Sequence, residues 1–169
     1  RGYSNAIRSS IDIAKGDYIL CLDSDGQVDS DDFVKFWDKR SFLKNGIIIG
    51  NRFDRKDSFQ RLLMSKAFLI LHRILFFSDI KDPSCPYILC EKKFAKKINP
   101  YLKFMVEGCW WGFTAICIKK NMQVNQIKIN HRLRISGKTN VFHLDKIPGI
   151  AFRNIFGLIK LKFLNIDLN

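Results

Sequence analysis

The chain has 169 residues, of which 47% are hydrophobic and 27% charged. This balance is typical of a single globular domain, and it excludes both a disordered segment and a pair of ordinary domains. The 29 lysines and arginines against 16 aspartates and glutamates give a net charge of +13. Such an excess indicates an anionic partner: nucleic acid, an anionic membrane surface or a phosphorylated substrate. Five cysteines without CxxC spacing favour reduced thiols over a zinc site.

The hydrophobic pattern alternates between helical and strand-like segments along the chain. It predicts a helix over residues 5–15, which Gly16 ends, and a short buried strand over 18–22. Ser30 is the predicted N-cap of a second helix that reaches residue 44. The remaining predicted elements are a strand over 47–50, a helix over 58–77, a strand over 87–90, a helix over 110–120, a strand over 124–129, and a helix over 142–164 that is interrupted near Pro148.

Helices that alternate with fully apolar strands indicate an α/β fold with a mostly parallel central sheet. In such sheets, ligands bind beyond the carboxyl ends of the strands. The residues that follow Leu22 and Ile49 are therefore the first places to look for a functional site.

An acidic cluster, Asp23-Ser24-Asp25-Gly26, directly follows the first predicted strand. Two carboxylates that are two residues apart can point to the same side, and their oxygens suit Mg²⁺ or Mn²⁺. Gly26 allows a tight turn and a close approach to a ligand. An ordinary surface turn is the alternative that this pattern leaves open.

A calcium-binding EF-hand loop does not fit the same segment. Such a loop needs glycine at its sixth position and a carboxylate at its twelfth. Counted from Asp23, these positions are Val28 and Val34. The EF-hand interpretation is therefore excluded.

Four motifs follow one another along nearly the whole chain. They are Gly16-Asp17 with the strand and Asp23-Ser-Asp-Gly-Gln27, then Gly50-Asn-Arg52 with Arg55, then Asp82-Pro-Ser-Cys-Pro-Tyr87, and finally His131-Arg-Leu-Arg-Ile-Ser-Gly-Lys-Thr-Asn140. In this order they resemble the family-2 glycosyltransferases. The resemblance is greatest to the branch of dolichol-phosphate mannose synthases and bacterial polyprenyl-phosphate sugar transferases.

The resemblance implies a GT-A type α/β sandwich and a nucleotide-sugar donor such as a UDP or GDP sugar. In that reading Asp23 and Asp25 hold Mg or Mn and the donor diphosphate, Asp25 is catalytic, and Gln27 lies beside the sugar. The family begins with strands that contact the nucleotide base. This chain is expected to start after those strands.

The basic motifs are expected to bind phosphate. The resemblance places Arg52 and Arg55 near the donor or acceptor phosphates. Arg134, with Lys138 and Thr139, would bind the diphosphate or the phosphate of a lipid acceptor. Arginine offers a planar pair of donors that matches phosphate oxygens, which suits both roles.

The need for a general base depends on the acceptor. A polyprenyl phosphate arrives already ionised, whereas a sugar hydroxyl requires a carboxylate base, for which Asp82 and Glu107 are the candidates. Glu107 precedes Trp110 and Trp111, which could line a sugar or lipid site or form ordinary core. Pro86 stands where the family usually has glycine.

The chain is expected to divide into a partial GT-A catalytic domain, residues 1–145, and a C-terminal amphipathic helix, residues 146–169. The C-terminal helix carries Phe152 and Phe156 beside basic residues, a pattern typical of helices at an anionic membrane interface. A helix with one face in the core is the alternative. The predicted location is cytoplasmic, peripheral to the membrane.

The sequence therefore predicts a glycosyltransferase, specifically a hexosyltransferase, with a polyprenyl-phosphate or glycan acceptor. A basic nucleic-acid-binding module is the alternative from another class, although no recognised nucleic-acid motif is present and no nucleic-acid partner is expected. A folded but inactive truncated homologue is the third hypothesis.

Overall fold

A computed structural model describes residues 2–132 and 147–168. Their centre is a four-stranded sheet of order β1-β3-β2-β4. The strands are β1 (Tyr18–Cys21), β2 (Gly46–Phe53), β3 (Ile88–Glu91) and β4 (Gln123–Asn130). β2 and β4 are parallel, and β3 is antiparallel to both β1 and β2. Consequently β1, β2 and β4 share one direction, and β3 runs the opposite way between two of them.

Six α-helices accompany these strands in the described part of the chain. They are α1 (Tyr3–Ile13), α2 (Phe33–Trp37), α3 (Phe59–Phe76), α4 (Lys92–Ile98), α5 (Cys109–Lys119) and α6 (Ile147–Phe163). Short 3₁₀ segments cover Ser30–Asp32, Arg40–Asn45 and Asn99–Phe104. The predicted strands are present, and so are the predicted helices apart from the second, with ends that differ by a few residues. Residues 142–146 of the last predicted helix lie outside the described residues, and α6 runs through Pro148 without the predicted interruption.

The sheet separates two hydrophobic layers because successive side chains of a strand point to opposite faces. In β2, Ile47 and Ile49 join the larger layer, which contains residues from α1, α3, α4, α5 and α6. Ile48 lies between them in sequence and joins the smaller layer, with Phe36 and Leu43. Both faces of β2 are therefore covered at residues 46–50, which explains why this part of the strand is wholly apolar.

The continuous helix predicted over residues 30–44 is wrong. The segment is broken into a 3₁₀ turn, the five-residue α2 and a second 3₁₀ stretch. Asp29, not Ser30, caps the start, since its side chain accepts a hydrogen bond from the Asp31 backbone N–H. Residues 38–41 are Asp, Lys, Arg and Ser, so no apolar side chain in that turn stabilises a helix by burial.

The C-terminal helix α6 has one buried and one exposed face. Leu158 and Leu161 are fully buried in the larger layer. Gly157 lies so close to the preceding segment that a Cβ there would come within 2.4 Å of the Phe104 carbonyl oxygen. The four exposed large side chains on the other face are Phe152, Phe156, Ile159 and Phe163. The helix thus combines a core contact with an apolar surface.

A buried histidine makes the stability of the fold dependent on pH. His72 of α3 is fully buried, and burial lowers its pKa to about 4 from the ordinary 6.5. Between these values the unfolded chain binds a proton that the folded chain does not, so acidification favours unfolding. We expect the free energy of unfolding to fall by roughly 3 kcal/mol from His72 alone between pH 7 and pH 4. Urea titrations across this range measure it.

The variant His72→Gln isolates this contribution from that of the carboxylates, because it removes the titrating ring. Its stability should fall less steeply than that of the wild type between pH 6.5 and pH 4. If the free energy of unfolding falls equally steeply with acidification in the two proteins, His72 is not buried in its neutral form.

Candidate active site

One edge of the sheet gathers four loops. β1, β2 and β4 end at this edge because they share a direction, and β3 begins there because it runs the opposite way. The register aligns Cys21, the last residue of β1, with Ile88, the first residue of β3. The loops after β1 and β2 and the loop before β3 therefore converge with the end of β4. The first and third of these loops carry Asp23–Gln27 and Asp82–Tyr87, Arg52 lies at the end of β2 with Arg55 just after it, and His131 and Arg132 follow β4.

The first loop holds the acidic pair. Asp23 Oδ1 accepts a hydrogen bond from the Tyr3 hydroxyl at 2.8 Å. Asp25 Oδ1 accepts one from the Gln27 backbone N–H at 3.1 Å. Gly26, between Asp25 and Gln27, has a φ of 72°, the left-handed conformation that glycine adopts without strain. The tight turn predicted at Gly26 is confirmed.

The acidic loop is tied to the end of β4. The Gln27 carbonyl oxygen accepts a hydrogen bond from the Arg132 backbone N–H at 2.8 Å, and Val28 forms an isolated bridge with His131. The Arg132 side chain also pairs with Asp29. The start of the fourth motif is therefore beside the first motif, as the predicted site requires. Its other predicted residues, Arg134, Lys138 and Thr139, lie outside the described residues.

A buried ion pair joins the second and third motifs. The Arg52 guanidinium donates to both oxygens of Asp82, at 2.6 and 2.9 Å, and to the Ser84 hydroxyl at 2.6 Å. Each charged side chain is 7% exposed. Burial alone would raise the pKa of Asp82, but the hydrogen bonds and charge of Arg52 outweigh it and lower the pKa.

This geometry bears on the predicted base role of Asp82. Its carboxylate is ionised, and both of its oxygens are hydrogen-bonded to Arg52. These contacts favour a role in holding Arg52 in place. The role of Asp82 as a general base stays a prediction.

A second carboxylate, which sequence reasoning missed, holds the other predicted phosphate ligand. Asp57 pairs with Arg55 at 2.7 Å and with Arg61 at 2.9 Å, and its side chain is 2% exposed. Burial acts to raise the pKa of Asp57, yet the charges of Arg55 and Arg61 lower it overall. The i, i+4 spacing of Asp57 and Arg61 was the available signal.

The two arginines open onto a cavity of about 200 Å³. Its cationic lining consists of Arg52, Arg55, Lys66 and Lys81, and Asp82 is its carboxylate. A second cavity, of about 100 Å³, lies between α3 and α6 and has a largely apolar lining that includes Phe68 and Ile150. Ser65 and Trp111 line both cavities. A cationic space is therefore adjacent to an apolar one.

Glu107 precedes α5 in the chain and contacts α6. Its carboxylate accepts hydrogen bonds from Arg153, the shortest at 2.5 Å. Of the aromatic residues that follow it, Trp110 is buried in the larger hydrophobic layer. Trp111 contributes to both cavities. The core interpretation thus holds for Trp110. Trp111 packs against the same layer and also lines both cavities, and its place at a sugar or lipid site stays a prediction.

The acidic pair fits a divalent cation that is completed by substrate. Within residues 2–132 and 147–168, no group of three or more His, Cys, Asp or Glu side chains could hold a metal. Asp23 and Asp25 alone supply two hard carboxylates. Mg²⁺ typically uses one or two carboxylates together with substrate phosphates, so two ligands suffice when a diphosphate is present.

Comparison with known proteins decides the family. The family model described as "Glycosyl transferase family 2" matches residues 1–119, which is well over half of the chain. The chain belongs to glycosyl transferase family 2. The match includes the acidic loop, the Arg52–Asp82 pair and α5, so the first three of the four predicted motifs lie inside the family-2 region.

One curated relative and two solved structures are also similar to this chain. A dolichyl-phosphate beta-glucosyltransferase of Dictyostelium discoideum is 28% identical over 96% of this chain and 54% of the relative. The glucosyl-3-phosphoglycerate synthase of Mycobacterium tuberculosis, solved with Mn²⁺, UDP-glucose and glycerol 3-phosphate, superposes with a TM-score of 0.61 at 12% identity. This superposition covers 98% of this chain and 56% of the synthase. The mannosyl-3-phosphoglycerate synthase of Rubrobacter xylanophilus gives 0.56 at 11% identity, over 94% and 50%.

These likenesses confirm the predicted GT-A type α/β fold. The sheet itself is mixed: three of the four described strands share one direction, while two of the three neighbouring pairs are antiparallel. The likenesses also show that the family-2 chain spans about half the length of the relatives it matches.

Proposed function

We propose that this chain is the cation- and phosphate-binding part of a hexosyltransferase. It would transfer a sugar from a UDP or GDP sugar to a polyprenyl-phosphate or glycan acceptor, with the lipid phosphate favoured. The observation that carries the proposal is the convergence of an acidic pair and an arginine-lined cavity at one edge of the sheet. Glycosyl transfer needs both, because the donor carries a diphosphate leaving group.

On the donor side, Asp23 and Asp25 would hold Mg²⁺ or Mn²⁺ together with the diphosphate oxygens. The cation supplies Lewis-acid stabilisation of the charge that develops on the leaving group. Gln27 is buried beside Asp25 and tied to Arg132, which suits its proposed place next to the sugar. The proposed phosphate ligands Arg134, Lys138 and Thr139 follow within seven residues of Arg132 in the chain.

On the acceptor side, the two adjoining cavities match an amphiphilic anion. Arg52 and Arg55, each held by a carboxylate, face the cationic cavity. The apolar cavity behind Trp111 suits the first hydrocarbon units of a polyprenyl chain. The lipid-phosphate acceptor of the curated relative supports the same choice.

A phosphate acceptor also removes the need for a base. A phosphate monoester is already anionic at neutral pH, so no carboxylate has to accept a proton from it. Under this proposal Asp82 positions Arg52, and Glu107 links the start of α5 to α6 through Arg153. A glycan acceptor would instead require one of these two carboxylates as the base.

The test compares a ligand that can occupy both cavities with ligands that can occupy only one of them. Titration calorimetry should show that farnesyl phosphate binds more tightly than either inorganic phosphate or farnesol. UDP-glucose should bind only with Mn²⁺ present, and radiolabelled glucose should then pass into an organic-extractable product. Equal binding of farnesol and farnesyl phosphate, together with metal-independent UDP-glucose binding, would contradict the proposal.

We also propose that the protein works at an anionic membrane surface on the cytoplasmic side. Exposed apolar side chains extend along α3 and onto its C-cap, namely Phe59, Leu63, Ile70, Ile74 and Phe77, and along α6. The two helices are neighbours, since Lys162 Nζ donates to the Leu75 carbonyl oxygen at 2.6 Å. No helix among the described residues has the length and apolar character needed to cross a bilayer.

Vesicle binding tests this surface. We expect the double variant Phe152→Ser/Phe156→Ser to bind vesicles of phosphatidylcholine and phosphatidylserine at least about tenfold more weakly, since burying one Phe side chain is worth roughly 1.5–3 kcal/mol. The matched control is Val34→Ser/Phe42→Ser, which removes two exposed apolar side chains elsewhere. Equal binding by both double variants, measured by co-sedimentation, would contradict a membrane role for α6.

A further inference from the structure

Three side chains from separate parts of the chain form a short relay of hydrogen bonds. Trp110 Nε1–H donates to the Tyr3 hydroxyl oxygen at 2.7 Å, and the Tyr3 hydroxyl donates to Asp23 Oδ1 at 2.8 Å. Tyr3 begins α1, Trp110 lies in the first turn of α5, and Asp23 follows β1. The relay therefore links two helices to the acidic loop.

The direction of this relay is fixed by chemistry. An indole N–H is a donor only, so the Tyr3 oxygen must be the acceptor in that contact. The one hydroxyl proton of Tyr3 is then directed to the carboxylate. A phenol keeps its proton at neutral pH, so the Tyr3 hydroxyl is available as the donor to Asp23.

The far end of the relay is rigid. Trp110 is 5% exposed, belongs to the larger hydrophobic layer and contacts the ring of Phe113 at a centroid distance of 6.1 Å. Its indole N–H therefore stays in place, and the Tyr3 hydroxyl is held at a fixed point beside the acidic loop. A carboxylate that receives such a bond on one oxygen loses rotational freedom.

We propose that Tyr3 and Trp110 are positioning residues that orient the Asp23 carboxylate for the divalent cation. The inference rests on the proposed function, because it requires that Asp23 contacts the cation. Neither side chain would touch the cation itself. Hydrogen-bond partners of ligating groups typically change metal affinity by about 10–100-fold when they are removed.

The test is cation affinity and needs no turnover. We expect Tyr3→Phe to weaken binding of Mn²⁺ in the presence of saturating UDP by about tenfold, as measured by electron paramagnetic resonance of unbound Mn²⁺. Tyr101→Phe is the matched control, since it also removes one bonded phenol hydroxyl, which contacts the backbone of Asp167. This control should bind Mn²⁺ as the wild type does.

The effects of Tyr3→Phe and Trp110→Phe on Mn²⁺ affinity should not add. Trp110→Phe removes the indole donor and should weaken Mn²⁺ binding in the same direction, because it acts only through Tyr3. The double variant should then bind about as weakly as Tyr3→Phe alone. If Trp110→Phe fails to fold, Tyr3→Phe and its control still decide the question.

A second readout reports on the relay directly. Mg²⁺ with UDP should shift the NMR signal of the Trp110 indole N–H, and Tyr3→Phe should abolish that shift. Unchanged Mn²⁺ affinity in Tyr3→Phe, with loss of affinity in Asp23→Asn, would overturn the positioning role and leave the proposed function intact. Absence of Mn²⁺ binding by the wild type with UDP would overturn both.

Discussion

Asp25→Asn is expected to weaken Mn²⁺-dependent binding of UDP-glucose by more than about 100-fold. The loss should exceed the roughly 10–100-fold fall in metal affinity that follows when a hydrogen-bond partner of a ligating residue is removed, because Asp25 itself would contact the cation. The substitution keeps the size of the side chain and its contact with the Gln27 backbone N–H, which an amide oxygen can also accept. It removes one of the two carboxylates that the proposal places at the cation. Titration calorimetry with and without Mn²⁺ measures the loss.

Asp31→Asn is the matched control for this change. Asp31 is an exposed carboxylate of the same acidic stretch, six residues further along, and its substitution alters the net charge equally. It should leave Mn²⁺-dependent binding unchanged. Equal losses in both variants would assign the effect to overall charge and contradict a cation site at Asp25.

Arg52→Met is expected to have the largest effect on stability. It leaves the Asp82 carboxylate buried without its cation, which typically costs about 3–5 kcal/mol. The same variant should lose binding of farnesyl phosphate, because Arg52 lines the cationic cavity. Urea unfolding and calorimetry measure the two effects separately.

The double variant Arg52→Met/Asp82→Ala separates stability from function. Removing both charges leaves no buried ion, so stability should recover by most of the loss. Phosphate binding should stay lost, because the guanidinium is still absent. Recovery of farnesyl-phosphate binding in the double variant would show that Arg52 serves the fold alone and would contradict its role at the acceptor.

The position of the candidate site was predictable from local patterns. The wholly apolar run before Asp23 and Asp25 predicts a buried strand, and the two carboxylates mark its carboxyl end. Both features can be recognised from residues that are close together in the sequence. Arg52 follows from the same reasoning on β2, which turned out to be longer than its apolar core because Asn51 and Arg52 continue the pairing with β4.

The contacts that orient the site were not predictable in this way. β3 inserts antiparallel between β1 and β2, and only this placement brings Asp82 to Arg52, 30 residues apart in sequence. Tyr3 and Trp110 are 107 residues apart, and each has an ordinary place in its own helix. Such pairs depend on tertiary packing, which hydrophobic periodicity does not encode.

The position of the bound cation tests the central claim most directly. In an NMR titration of the wild-type chain with UDP and traces of Mn²⁺, we expect the amide signals of residues 23–28 to broaden first. The signals of Gly46 and Gln123 should persist, because they lie at the opposite edge of the sheet, about 20 Å away along β2 and β4. Broadening centred on that opposite edge, or none at Asp23 and Asp25, would contradict a cation site in the acidic loop.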